Sequence, residues 1–598
     1  MKLLFLLTAA CLAVSCSKPR QEAEKSSDAT PPAVEVDGSV PTDLPLLPQV
    51  ADQRFDGAIH DIVVREDPTV DGWDSEAFTE QALAQLNALG KMLAGEPATT
   101  TGPSVCAPDF SGAPVRPEDL LLVYEDADVA VRRPVSLSGE EKRLPQPIFA
   151  AAAGARFKFK IIRVEMDDRE ARTTAYFQMT GSEAARRVQI NATWECRWTR
   201  TDPPLLTRIA ISDHEEVSSA LGFTDCTIAA IGESALLRDQ LAHGRDHWNR
   251  RLEGALGLEG RGNGIAIGDI NNDGLEDLYF CQPAALPNRL LLRQSDGSLK
   301  DISSSAKVDW LDNTRAALFV DLDNDGDQDL VLTQGANVLL QENDGTGVFV
   351  LRATLPSQSL LFSLNAVDYD SDGDLDLYAC GYTGAGQIRP EDIFASPMPY
   401  HDANNGAPNV LLRNEGDWTF NDVTRSAGLD VNNMRFSLAS AWEDFDNDGD
   451  PDLYVANDFG RNNLYRNDKG HFTDIAAAAG VEDIGPGMSV AWGDANNDGL
   501  ADLYVSNMFS SAGSRITRQR AFKPGAAAGD IEGFRRHARG NSLFINRGDG
   551  TFSDQAIESG TSMGRWAWGS LFVDINNDGW RDLYVTNGFI TADHDNDL

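Results

Sequence analysis

Apolar residues recur along this chain with two different periods, and the change of period divides it. Phe78, Ala82, Leu86, Leu89 and Leu93 fall near helical spacing. Ser75 stands where a helix cap would, and Gly95 and Pro97 close the pattern. Alternation takes over in residues 156–166, 173–180, 187–199 and 205–213, broken by polar turns such as Asp167-Asp168-Arg169. A helix followed by an antiparallel meander predicts a smaller α+β domain over residues 51–240.

From about residue 241 to 598 the apolar runs shorten to strand length, and an acidic decapeptide separates them. It reads DINNDGLEDL from Asp269, DLDNDGDQDL from Asp321, DYDSDGDLDL from Asp368, DFDNDGDPDL from Asp444, DANNDGLADL from Asp494 and DINNDGWRDL from Asp574. The copies recur roughly every fifty residues, with two longer intervals that hold insertions at about 382–408 and 507–540. Between them lies a second signature, NVLLRN from Asn409, NNLYRN from Asn462 and NSLFIN from Asn541, with weaker forms from Asn288 and Asn337. It is often followed by Gly and Phe, as in GDWTF and GDGTF. Each repeat therefore offers about four short strands, one blade of a β-propeller. The fold class expected is mainly β, a six- or seven-bladed propeller preceded by the α+β domain.

The decapeptide has the pattern D-x-[DN]-x-D-G-x-x-D. Oxygens at positions 1, 3, 5 and 9, with the backbone carbonyl of position 7, would converge on one point, and the glycine at position 6 permits the sharp turn. Such an oxygen-only cage suits calcium better than magnesium, which demands stricter octahedral geometry and keeps its waters. The ligand set expected is Asp269, Asn271, Asp273, Leu275 and Asp277 in the first loop, and Asp321, Asp323, Asp325, Asp327 and Asp329 in the second. Asp368, Asp370, Asp372, Asp374 and Asp376 form the third, and Asp444, Asp446, Asp448, Asp450 and Asp452 the fourth. Asp494, Asn496, Asp498, Leu500 and Asp502 form the fifth, and Asp574, Asn576, Asp578, Trp580 and Asp582 the sixth. An EF-hand would need Glu at position 12, where this chain has Phe280, Leu332, Ala379, Val455, Val505 and Val585. Plain acidic turns are the competing reading. Carboxylates crowded within about 4 Å repel by several kcal/mol per pair even at an effective dielectric near 20, which favours a bound cation.

These loops and the N-x-L-[YF]-x-N strands resemble FG-GAP/VCBS repeats, the calcium-loop propeller repeats also found in integrin α subunits. Segments such as NDFGRNNLYRN and MFSSAGSRIT resemble the cartilage-acidic-protein/UnbV group. The resemblance covers about residues 245–598 and implies a seven-bladed propeller that binds partners outside the cell. Only six loops are present, so the last blade must borrow strands from around residues 247–258 or the ring is built differently.

The net charge of −41 argues against nucleic acid as a partner and suits several divalent cations. Lys2 followed by an apolar stretch over residues 3–14 and by Ser15-Cys16 resembles a bacterial lipoprotein signal. Cys16 would then carry lipid, residues 17–50 would be a solvated tether, and the protein would sit on the outer membrane or cell surface. The alternative is a plain signal with a secreted or periplasmic product. Export permits a disulfide among Cys106, Cys196 and Cys226, whereas Cys281 and Cys380 share a repeat position filled elsewhere by small residues.

If each loop joins the first two strands of its blade, both insertions lie on the opposite face, where a protein or glycan ligand would bind. The first insertion carries Phe394, Tyr400 and His401. The second holds Arg515, Arg518, Arg520, Lys523, Arg535, Arg536 and Arg539, a basic island that either binds an anionic ligand or pairs with this protein's own carboxylates. The leading reading is a calcium-binding adhesion or scaffold module. The alternative is a calcium-stabilised propeller enzyme acting on a polysaccharide or phosphoester, with His401 and His537 as first candidates. No H-E-x-x-H motif or convincing G-x-S-x-G elbow supports catalysis.

Overall fold

The computed structural model describes residues 73–96, 105–137, 145–149, 154–183, 186–220, 224–232, 234–243, 245–248, 264–384, 397–399 and 402–587. Cys16, the tether, Phe394, Tyr400 and His401 lie outside the described residues. Helix α1 spans Asp74–Leu93, and its apolar stripe of Phe78, Ala82, Leu86, Leu89 and Leu93 is buried. Asp74 and Glu76 favour its first turn through the helix dipole. Ser75 does not cap it: the N-cap is Trp73, without a side-chain bond, and Ser75 is buried inside the first turn.

Seven strands follow: β1 (Cys106–Gly112), β2 (Leu120–Glu125), β3 (Val129–Pro134), β4 (Arg156–Met166), β5 (Ala171–Glu183), β6 (Arg186–Trp198) and β7 (Leu206–Ser219). They form one sheet in the order β2-β3-β7-β6-β5-β4, and β1 runs parallel to the start of β7. The four long strands sit where alternation predicts them, because one face is buried under α1. Phe159, Phe177 and Trp194 pack there, with centroids 4.5 to 5.3 Å apart. Cys106 and Cys196 are buried and Cys226 is exposed, and no disulfide joins the described cysteines. Among the described residues no helix is long and apolar enough to cross a membrane.

Repeated four-stranded antiparallel sheets of a propeller-like kind make up the remainder. The first repeat holds Ile265–Gly268, Asp277–Phe280, Arg289–Arg293 and Leu299–Asp301. The second holds Thr314–Val320, Asp329–Gln334, Asn337–Asn343 and Phe349–Pro356; the third Ser359–Val367, Asp376–Gly384, Val410–Asn414 and Phe420–Asp422. The fourth holds Phe436–Glu443, Asp452–Phe459, Asn463–Asn467 and Phe472–Asp474; the fifth Gly487–Gly493, Asp502–Asn507, Ser542–Asn546 and Phe552–Asp554. The sixth is the pair Ala567–Val573 and Asp582–Asn587. Within each sheet the strands follow chain order, and the first strand of each repeat packs on that of the next. Five four-stranded sheets and this two-stranded pair stand among the described residues, and a seventh repeat is not among them. His247 and Trp248, expected in a closing strand, lie in the helix Arg245–Trp248.

This topology places every acidic loop between the first and second strands of its repeat and both insertions between the second and third. The second insertion folds into helices Ser511–Ile516 and Ala528–His537, and the first of these docks on β4.

Candidate metal centre

Each loop is built by its own side chains. In five of the six loops the position-1 carboxylate accepts backbone N–H groups from positions 5 and 6, as Asp444 does from Asp448 and Gly449 at 3.0 and 2.9 Å. Asp321 accepts only that of Gly326, while the Asp325 N–H turns to Asp323. The position-5 carboxylate accepts the N–H of position 7, as Asp448 does from Asp450 at 3.0 Å. Position 6 requires positive φ, from 82° at Gly274 to 97° at Gly449, which glycine adopts without strain.

Position 9 is the anchor. Asp277, Asp329, Asp376, Asp452 and Asp502 are fully buried. One oxygen of Asp452 accepts the N–H of Phe445 at position 2, and the other accepts that of Asn467, the last residue of the third strand. Asn343, Asn414 and Asn546 meet Asp329, Asp376 and Asp502 in the same way at 2.8 to 2.9 Å. Burial pushes Asp329 and Asp376 up to about 7 and Asp452 to about 8, with nearby loop aspartates adding to it. Asp323, Asp370 and Asp446 at position 3 are raised for the same two reasons, burial first.

Crowding is greatest in the three loops with Asp at position 3. Asp321, Asp323 and Asp325 offer oxygens within 4.8 Å of one another, as do Asp368, Asp370 and Asp376, and Asp444, Asp446 and Asp452. Asp321 Oδ1 and Asp370 Oδ1 are buried without a hydrogen-bond donor. A buried carboxylate oxygen left without a partner is costly, and a cation among these oxygens would satisfy it. The donor set therefore fits a hard cation such as calcium. Loops with Asn at position 3 relieve the crowding internally: Asn271, Asn496 and Asn576 donate to Asp273, Asp498 and Asp578 at 2.9 to 3.0 Å. In the sixth loop Asp582 is only partly buried, and Trp580 is exposed.

The N-x-L-[YF]-x-N signature has a role that spacing alone does not reveal. Its last asparagine ties neighbouring repeats: Asn467 Nδ2 donates to the carbonyls of Pro451 in its own loop and Tyr369 in the preceding one. Asn343, Asn414 and Asn546 do the same to Ile270, Leu322 and Phe445. Its first asparagine accepts an N–H from the end of the second strand, as Asn541 does from Asn507, the last residue of that strand, at 2.8 Å.

The basic island divides. Arg515 is buried and pairs with Glu76 of α1 at 2.5 Å, while its Nη1 donates to the Ile161 carbonyl of β4 at 2.6 Å. Arg536 pairs with fully buried Asp483 at 2.8 Å, and Arg539 pairs with Asp554. Those three are partners of the protein's own carboxylates. Arg518, Arg520, Lys523 and Arg535 are exposed. Lys523 lies over the Phe534 ring at 4.7 Å, and Arg535 meets Glu532 at 3.5 Å. His537 is buried, 2.9 Å from the Ile484 carbonyl and stacked on Phe459, in a packing position. Cys281 and Cys380 are buried, and burial raises both thiols.

Residues 269–332, 321–379, 444–505 and 528–585 match the family model of the FG-GAP-like repeat. All six loops fall within these stretches. Over 126 residues the chain is 29% identical to Cartilage acidic protein 1 of Xenopus tropicalis, a stretch covering 20% of this chain and 19% of that protein. The chain thus matches about a fifth of that relative's length. Among solved structures, the V. cholerae biofilm matrix protein Bap1 aligns with a TM-score of 0.27 and 14% identity, over 49% of this chain and 39% of that one. A Lactobacillus plantarum protein aligns with a TM-score of 0.27 and 10% identity, over 67% and 95%.

Proposed function

From the premise that this chain carries FG-GAP-like repeats in a propeller-like fold, we propose that it is a calcium-dependent, extracytoplasmic binding module. The observation that carries this reading is the buried, unpartnered carboxylate oxygen of Asp321 and of Asp370, each within a cluster of acidic oxygens. Positions 1, 3, 5 and 9 of each loop, with the position-7 carbonyl, hold the ion. Bound calcium neutralises the crowded carboxylates. The protein's own contribution is mechanical: position 9 joins its loop to the third strand, and the strand-ending asparagine joins that strand to the preceding repeat. Filled loops thereby stiffen the array that carries the opposite face.

That face takes the partner, a protein or an anionic glycan, in this proposal. Arg518, Arg520 and Lys523, exposed in the second insertion, supply the charge, whereas Arg515 and Arg536 hold the insertion in place. Lipid on Cys16 anchors the protein outside the cytoplasm. The test is capture of glycans and proteins by the full chain with calcium and with chelator. Binding that requires calcium and is lost in Arg518→Ser/Arg520→Ser/Lys523→Ser supports the proposal. Equal capture with chelator refutes the calcium dependence, and equal capture by the triple variant moves the partner to another surface. Independently, Cys16→Ser is expected to release the protein from membranes, and unchanged membrane association refutes the anchor.

A further inference from the structure

Position 4 lies in the left-handed region in all six loops: φ is 55° at Asn272, 61° at Asn324, 60° at Ser371, 59° at Asn447, 57° at Asn497 and 58° at Asn577. In the first two loops the side chain there serves the next loop along. Asn272 Nδ2 donates to Asp327 Oδ1 at 2.6 Å. Asn324 Nδ2 donates to Asp374 Oδ1 at 2.8 Å and to the Gly373 carbonyl at 3.5 Å. Asp327 and Asp374 occupy position 7, the residue whose backbone carbonyl completes the calcium cage.

The link is specific to the first three loops. Position 4 of the third is Ser371, and Asp450 in the fourth accepts the Lys469 N–H of its own repeat at 3.0 Å. Leu500 at position 7 of the fifth has no side-chain acceptor for Asn447. Asn497 reaches only the Gly579 carbonyl, at 3.5 Å, beside Trp580.

We propose that the first three loops bind calcium cooperatively, with Asn272 and Asn324 as the positioning residues that transmit occupancy from loop to loop. This rests on the calcium reading above. An ion in one loop fixes the turn around position 4 and so the direction of its amide. The held amide fixes Asp327 or Asp374 and, with it, the position-7 peptide of the next loop. That loop then loses less freedom when it fills, which is positive coupling without a large structural change. Linkage makes the effect reciprocal, so filling the third loop also favours the second. Asp321 and Asp370, with their unpartnered oxygens, lie in the second and third loops, at the receiving ends of the two links.

The experiment is a calorimetric calcium titration of the chelator-treated full chain and four variants. Asn324→Gly removes the amide and keeps the left-handed turn accessible. Asp374→Ala removes the acceptor and keeps the position-7 carbonyl. The other two are the Asn324→Gly/Asp374→Ala double variant and Asn447→Gly, a position-4 change with no linked neighbour. Each linked single variant is expected to weaken the coupled sites about 5-fold, near the lower end of usual allosteric coupling. The double variant is expected to be no weaker than either single one, and Asn447→Gly to match wild type, with the number of ions unchanged throughout. Additive losses in the double variant, or an equal loss in Asn447→Gly, overturn the coupling while the calcium reading stands. Absence of calcium uptake by the wild type overturns both.

Discussion

Asp452 is fully buried, accepts two backbone N–H groups and is pushed up to about 8, so without a cation it holds a proton across much of the neutral range. Its folded value lies above the ordinary aspartate value of about 3.9, as do those of Asp329 and Asp376 at about 7. A raised acid contributes stability that is complete below about pH 4 and is lost as pH rises through the folded value. The melting temperature of chelated protein is therefore expected to fall as pH rises toward 8, and the stabilisation by calcium to grow over the same range. Scanning calorimetry with and without chelator checks both slopes, and Asp452→Asn should flatten the chelated one. Position 3 makes a second contrast. Asp446 adds charge to the fourth loop, whereas Asn496 in the fifth donates to Asp498. Asp448→Ala is expected to cost more stability than Asp498→Ala at the same calcium concentration, up to about 2.7 kcal/mol where the site is filled at a hundred times its dissociation constant. Urea melts at matched calcium measure the pair, and the reverse order would show that rigidity outweighs charge. The acidic loops are legible in the sequence because the spacing of their carboxylates is local. Glu76, the partner of Arg515 more than four hundred residues away, left no such mark.

At the scale of elements, periodicity located what one-sided burial enforces. Strand β4 begins and ends where the alternation does, and α1 buries the stripe its spacing defines. Strands β1 to β3 are not legible in the sequence because Pro, Asp and Ser interrupt CAPDFSG and because β2 is exposed on most of its length, so no alternation survives. The recurring terminal asparagine was visible as a motif, but its two carbonyl acceptors lie in different repeats and only the fold brings them together. Asn467→Ala would leave the carbonyls of Tyr369 and Pro451 without that donor, with an expected loss of about 1–3 kcal/mol. Denaturant melts in saturating calcium test this, and a change below a few tenths of a kcal/mol would mean that water replaces the amide.

For the whole molecule, the second insertion is a strut between the repeats and the sheet that precedes them. Arg515 meets Glu76 and Ile161, Gln519 donates to the Val164 carbonyl, and Tyr176 packs near Phe509, while Arg565, beyond the insertion, donates to Gln178. Removing one partner of a buried ion pair costs about 3–5 kcal/mol, so Arg515→Ala is expected to separate the melting of the two parts. A single unchanged transition in that variant would mean that the remaining contacts suffice. Whether the six acidic loops hold calcium is read by equilibrium dialysis of the chelator-treated full chain against calcium, with melting followed in parallel. Uptake of one ion per loop and a melting temperature that rises with calcium are expected, whereas no uptake and identical melting in chelator and in millimolar calcium would refute calcium binding by the loops.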